Sequence, residues 1–477
     1  MFRPSRPRRN RNPRAPRAPR RPAGSQVEML EGRRLLAADP LTVLIGGAAA
    51  KAVEFTDSTS GSRAIVTLHG QGTATVNFNG TGLSQGASAN GIAVTGSAVA
   101  LDTISLTGTG LSTTLQISTV GRAPVTIGGI TSSGVMAAIQ APGVVVNGDL
   151  TTTGWVHQVN LAGATNGTIN IGPSHIDGGL SLNVGTATDE NLVSAIRIAN
   201  LTAGQWSSTT GSGDSITAPQ VMNVHVRGTF DPDLNVSGIP GAQVALQTFS
   251  AGAVTAGTWS VGGHVHIVQA GSIASGWTAS VAGMVDRFNV LHDATINFTA
   301  PAVGNFAVHG SLSDSTISLT QPLTAAGYNV SNLFVGGAML NSNVVAGGSI
   351  NTVSAARMQD SGIYAGLVSP NLPATTADFG NTAQIRSVTL HRSAAGPSFT
   401  GSNIAAYQLG NVILGTVQMA NGGTPFGLAA HSIQSITLTD QATNHSLHAS
   451  NIPTTTAFSS LLAAKGMAQN DFVVEIV

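Results

Sequence analysis

Apolar residues recur down most of this chain in the arrangement apolar-x-x-apolar-x-apolar. The first copies are Leu101-Ile104-Leu106, Met136-Ile139-Ala141, Val156-Val159-Leu161, Val193-Ile196-Ile198 and Val221-Val224-Val226. The pattern continues as Val265-Val268-Ala270, Val285-Phe288-Val290, Val303-Phe306-Val308, Val330-Leu333-Val335 and Ile350-Val353-Ala355. Ile385-Val388-Leu390, Leu409-Val412-Leu414 and Ile433-Ile436-Leu438 complete thirteen copies, which begin 18 to 44 residues apart. One such unit is too small to bury its own apolar face and must be covered by its neighbours, which is the signature of a stacked repeat.

The end of each copy alternates with period two, as a half-buried strand requires, and the doublet before it marks a bend. The second residue of the doublet is often Asn or Ser, as at Asn223, Asn305, Asn332, Ser387, Asn411 and Ser435. Such residues tolerate bridging or left-handed backbone and suit a corner. Gly163, Gly228, Gly310 and Gly337 follow the last apolar residue by two and supply the next corner. An offset element, Asx-Ser-x-apolar, occurs at Asp314-Ser-Thr-Ile317, Asn341-Ser-Asn-Val344 and Asp360-Ser-Gly-Ile363, with Gly401-Ser-Asn-Ile404 as a weaker relative. These residues fit turn capping; the other use of such a ladder is calcium binding. The expected fold is therefore all-β: a parallel, right-handed β-helix-like solenoid over residues 96–450, with rungs about 4.8 Å apart.

The ends read differently. Alternating runs such as Ala64–His69 and Thr73–Phe78, without the corner pattern, predict an N-terminal β cap over 39–95. Residues 451–477 predict a C-terminal cap: a short helix from Thr456 to Lys465, capped by Thr and Gly466, then a strand from Phe472 to Val477. Such caps protect an open last rung from edge-to-edge aggregation.

Charge adds a leader to this picture. Charged residues are only 9% of the chain and formally balance to zero, yet eleven of the 19 Arg fall within residues 1–34. Beyond Arg34, eight Arg and two Lys face 19 Asp and Glu, a net of −9. An acidic body offers no groove that would extend a contact of this arm with nucleic acid, so no nucleic-acid partner is expected. There is no run of 18 apolar residues, hence no transmembrane helix, and no cysteine, hence no disulfide or thiolate site.

Within the leader, Val27-Glu-Met-Leu-Glu-Gly-Arg-Arg-Leu-Leu-Ala-Ala-Asp39 resembles the LEPR-XLL type of N-terminal segment, found on large, repetitive, exported proteins of planctomycete-type bacteria. Leu30, Glu31, Arg33, Leu35 and Leu36 match its pattern, and Gly32 stands where that family usually has Pro. The resemblance implies an extracellular or cell-envelope destination and no activity. Residues 1–38 are thus expected to be a disordered targeting leader.

Candidate chemistry is sparse. His264 and His266 project to one side of a strand, and with His292 and His309 in following rungs they are the metal candidates, suited to zinc or copper. Asp231-Pro-Asp233, with Arg227 one corner away, is the nearest approach to the acids a polysaccharide lyase or glycoside hydrolase needs, or to a calcium-binding loop. Glu is nearly absent from the body: Glu54, Glu190 and Glu475. Gly82-Leu-Ser-Gln-Gly86 satisfies G-x-S-x-G, but Ala87–Gly91 does not read as the helix a nucleophile at Ser84 requires. The expectation is a non-catalytic structural or adhesion-type surface protein with polysaccharide or other surface proteins as partners, no required cofactor, and calcium as the one cation the Asp ladder suggests. The alternative is a carbohydrate-active β-helix enzyme.

Overall fold

In the computed structural model, residues 40–174, 178–209, 213–321, 327–391 and 396–477 are described. The leader 1–38, with Leu30, Glu31, Arg33, Leu35 and Leu36, lies outside them. The chain is 65% strand and 3% helix, and its strands stack in parallel through about 14 turns of a β-solenoid. None of the helices among the described residues is long and apolar enough to cross a membrane.

Each turn carries three inward-facing columns. The triplets supply the first, where Val159 sits over Leu182, Leu201, Val224 and Phe249 in successive turns, and Phe288 over Phe306. The second runs through Ala164, Ala187, Trp206 and Phe230, and later Met339, Met358 and Phe399. The third runs through Ile169, Leu150 and Ile130 towards the N-terminus and Ile317, Val344 and Ile363 towards the C-terminus. Aromatic rings fill the middle of the stack: Phe288 lies parallel on Phe306 at 5.0 Å, and Phe249, Trp259 and Trp277 meet edge-to-face at 4.5 and 5.3 Å. Offset and edge-on ring packing adds roughly 0.5–1.5 kcal/mol per pair to area burial.

The register corrects two of the expected triplets and fills two gaps between copies. Val193 is 38% exposed and points outward; the true rung is Ile198-Leu201-Ala203, which pairs with Val221-Val224-Val226. Leu101-Ile104-Leu106 belongs to the third column, since Ile104 pairs with Ile130. Two rungs fill the longest gaps between copies: Leu180 to Val184, and Leu246-Phe249-Ala251, which satisfies the triplet pattern itself.

The corners differ from expectation in an instructive way. Asn223, Asn305, Asn332 and Asn411 stay out of the left-handed region and form outer ladders, with Asn223 Nδ2 donating to Asn200 Oδ1 at 3.2 Å. The left-handed residues sit two places after the second column: Asn166, Asp189, Asp314, Asn341 and Asp360 have φ of 56, 51, 47, 46 and 50°, and Gly401 has 54°. Asn and Asp bear this conformation at lower cost than other side-chain-bearing residues. Asn341 Nδ2 donates to Asp314 Oδ1 at 3.3 Å, so an amide stands between the carboxylates of Asp314 and Asp360, which lie two turns apart.

The next residue turns its side chain into the corner. Ser315, Ser342, Ser361 and Ser402 are all buried there. Each hydroxyl donates to the carbonyl two residues back, at 2.7–2.8 Å. Each of the last three also accepts the backbone N–H of the serine one turn earlier, at 3.1 Å. This buried ladder satisfies corner groups that would otherwise cost about 1–3 kcal/mol apiece.

At both ends the pairing turns antiparallel. Leu41–Gly46 with Thr73–Ser88, Ala52–Thr56 with Arg63–His69, Arg63–His69 with Thr114–Val120, and Thr73–Ser88 with Gly91–Thr107 pair in this way. Antiparallel strands therefore run on to Val120, past residue 95. At the other end Ser446–Ser450 pairs antiparallel with Ser432–Asp440. The helix Thr455–Ala464 follows; Thr454 Oγ1 accepts the Ala457 N–H at 3.1 Å, and Gly466 has φ 68°. Phe472–Ile476 then closes the stack in parallel with Phe426–Ala430.

The glycines after the triplets serve a different need from the one expected: Gly163, Gly228, Gly310 and Gly337 are not left-handed. They lie where one turn crowds the next, so that a Cβ on Gly337 would come 2.9 Å from the Gly310 carbonyl carbon. Among the described residues Gly271 has the closest approach to backbone, a Cβ there coming 2.0 Å from the Gly252 oxygen, whereas a Cβ on Gly86 meets nothing within 4 Å. Gly271→Ala should therefore destabilise the fold by about 1–3 kcal/mol, and Gly86→Ala should leave it unchanged. Denaturant melts of the two variants check this, and equal midpoints would contradict the packing at that corner.

Candidate metal centre and acidic corner

Strand alternation places His264 and His266, both on His264–Ile273, on the same outer face of the first column. One turn later Val285 pairs with Val265 and Arg287 with Ile267, which sets Asp286 beside His266. Asp286 Oδ2 lies 2.6 Å from His266 Nδ1 and 3.0 Å from His264 Nε2. All three ligand atoms fall within 4.8 Å of one another, and all three residues are half-buried. Partial burial pulls the Asp286 carboxyl upward, but hydrogen bonds from His266 and His264 outweigh it and hold the group below the usual carboxylate range. Two imidazoles and a carboxylate at the solvent boundary make a donor set for a borderline metal or a hydrogen-bonded acid–base cluster.

The other histidine candidates do not join them. His309 Nε2 bonds Asn289 Oδ1 at 3.1 Å and its ring stands edge-on to Phe334, while His292 is exposed at a corner. Asp286 itself is absent from the sequence-derived candidates. It follows Val285 as His266 follows Val265, so aligning the two triplets would have found it.

Asp231 and Asp233 lie at the corner between the second and third columns, on successive turns with other acids. Both oxygens of Asp231 accept the Ser208 N–H at 3.0 Å, and Asp233 Oδ1 accepts the Thr258 N–H at 2.6 Å. Among the described residues Arg227, which is exposed, forms no ion pair with either. Asp189 Oδ1 accepts the Thr209 N–H at 2.7 Å. Burial raises the Asp231 pKa, and the Asp189 charge adds to the rise.

Behind these residues, Glu190 and Asp214 occupy the buried corner slot that holds serine further along. Glu190 Oε2 accepts the Gly167 N–H at 3.1 Å, and the Glu190 N–H in turn bonds the Asp214 carboxylate, which is the serine ladder's logic performed by acids. Glu190 Oε1 and Asp214 Oδ2 find no hydrogen-bond partner among the described residues. Burial pushes Glu190 up to about 8 against the pull of the Gly167 amide, with Asp149 and Asp214 adding repulsion. Asp214 rises to about 6, again chiefly through burial. Nothing in the sequence marks the pair, because the same slot holds Gly167, Pro232 and Ser315 in other turns.

Ser84 lies on Thr73–Ser88, opposite Thr95, and its hydroxyl meets Thr95 Oγ1 at 3.0 Å. A hairpin replaces the strand–helix elbow that a nucleophile there would need.

A carboxyl whose folded pKa lies above its unfolded value near 4.5 stabilises the fold at low pH, and that contribution is lost as pH rises through about 8. Glu190→Gln should therefore gain stability relative to the parent chain between pH 5.5 and 8.5, by a few kcal/mol. Denaturant midpoints at the two pH values measure it; a constant difference between the chains would mean that Glu190 is ionised in the fold throughout.

No family model, curated protein or solved structure matches this chain.

Proposed function

We propose that this chain works as a non-catalytic structural or adhesive element of the cell surface or extracellular space, with polysaccharide or other surface proteins as partners. The observation that carries the reading is the state of the acids. Asp231 and Asp233 are spent on backbone N–H groups, and Glu190 and Asp214 are shut inside the corner at 0% and 3% exposure. Glycoside hydrolysis needs two carboxyls that reach the scissile bond from a cleft, roughly 5–10 Å apart with the substrate between them. Glu190 and Asp214, buried beyond the reach of a sugar, and Asp231 and Asp233, bonded to backbone, do not meet that need.

The outer faces support the same reading. They carry short uncharged side chains bonded from turn to turn: Asn183 to Asn160 at 2.9 Å, Thr352 to Asn332 at 3.0 Å and Ser435 to Asn411 at 2.9 Å. Regular polar ladders give many equal, weak contact points, the condition for multivalent adhesion. The LEPR-XLL-like segment at Leu30, Glu31, Arg33, Leu35 and Leu36 supports an exported destination.

Incubated with a panel of neutral and acidic polysaccharides, the full chain should release no reducing ends or unsaturated products and should be retarded in gels containing at least one of the polymers. Turnover abolished by Asp231→Asn would overturn the reading. For the destination, deleting residues 2–38 should move the protein from the envelope and medium fractions into the cytoplasmic fraction.

A further inference from the structure

We propose that His264, His266 and Asp286 bind a late first-row divalent cation, with zinc as the best fit. The inference is independent of the structural role above. It rests on convergence: Oδ2 of Asp286 is within 3.0 Å of one nitrogen from each ring, and the three donor atoms lie within 4.8 Å of one another. Ligands at about 2.0–2.2 Å around a tetrahedral zinc stand about 3.3 Å apart, so the cation enters with small side-chain rotations and no backbone change.

The donor chemistry selects the metal class. Two imidazoles and one carboxylate suit zinc and its neighbours, whereas calcium and magnesium require mostly oxygen ligands. The side chains retain 29–43% exposure, which leaves room for water or an outside ligand to complete the shell. The scaffold is rigid beneath them: Val265, Val285 and Phe288 are buried, and parallel backbone pairing locks the two strands in register. The site bridges two successive turns, so the cation would clamp one rung to the next.

Among the described residues no Lys or Arg pairs with Asp286; its charge partners are the two rings. The metal would replace the hydrogen bonds that Asp286 shares with them, displacing any proton held between carboxylate and ring. Affinity should therefore fall at low pH, where protons compete with the cation for the ligand atoms.

The test is titration of the untagged full-length chain with Zn²⁺ alone, followed by calorimetry, and with Co²⁺, followed by its visible absorption. One equivalent should bind, with ligand-field bands of a four- or five-coordinate Co²⁺ site. His266→Ala and Asp286→Asn should each weaken Zn²⁺ binding by more than about 100-fold, exceeding the effect of losing an outer-shell partner. His309→Ala should leave it unchanged. Zn²⁺ should raise the melting temperature of the parent chain and of His309→Ala only. His264→Gln, which keeps size and polarity, repeats the test should either truncation disturb the fold, as circular dichroism would reveal. Absence of a saturable equivalent, or equal binding by the Asp286→Asn and parent chains, would overturn the site. So would Ca²⁺ binding that depends on the same residues.

Discussion

Parallel hydrogen bonding between turns sets each residue directly over its counterpart about 4.8 Å away, and most of this structure follows from that. Whatever occupies a position must tolerate a copy or near-copy of itself on either side. Apolar and aromatic side chains do so with gain, as Phe288 does on Phe306. Amides and hydroxyls do so by passing hydrogen bonds along the stack, as in Asn160–Asn183 and the buried Ser315–Ser342–Ser361–Ser402 ladder. Like charges do not. A body with few charges, and carboxylates separated by an amide at Asp314–Asn341–Asp360, is the chemical outcome of that rule.

The same rule explains why the two charged clusters look as they do. At the outer face Asp286 is placed against imidazoles rather than another carboxylate, so its ionised form is favoured. At the inner corner Glu190 and Asp214 follow one another in a slot built for a neutral acceptor, and their pKa values rise. A protonated carboxyl is in effect a larger serine, and the Gly167 N–H bonds Glu190 as the Ser315 N–H bonds Ser342.

The first column was legible in the sequence because its triplet breaks period-two alternation in a distinctive way. The second and third columns contribute only one or two inward residues per turn, on short strands, and these carry no comparable signature. Val193-Ile196-Ile198 imitated a triplet by joining an outward residue of the third face to the start of the next first face. Leu180-Leu182-Val184 alternates strictly without the doublet and so does not match the triplet, whereas Leu246-Phe249-Ala251 matches it and was legible. His264 and His266 were found by alternation within one strand. Their partner Asp286 lies across the stack, at a separation fixed by the variable turn and not by any helical or strand period. The corner slot was invisible for the opposite reason: it is one place in space occupied by Gly, Glu, Asp, Pro, Trp or Ser, so no residue type announces it.

The antiparallel strands at each end do more than close the core. Between them the fold is a one-dimensional lattice whose interior energy depends on neighbours alone, so nothing within it counts turns. Only the aperiodic ends, where Ser446–Ser450 and the helix Thr455–Ala464 interrupt the parallel order, mark a stopping point. Gain or loss of a whole turn would slide one terminus by a single rung spacing and leave both caps intact. Length in such a chain is therefore a heritable variable that can change without altering the packing of the turns that remain. A feature seated within one turn would survive each such change. One that bridges two turns, as His264, His266 and Asp286 do, also fixes which turns must remain adjacent.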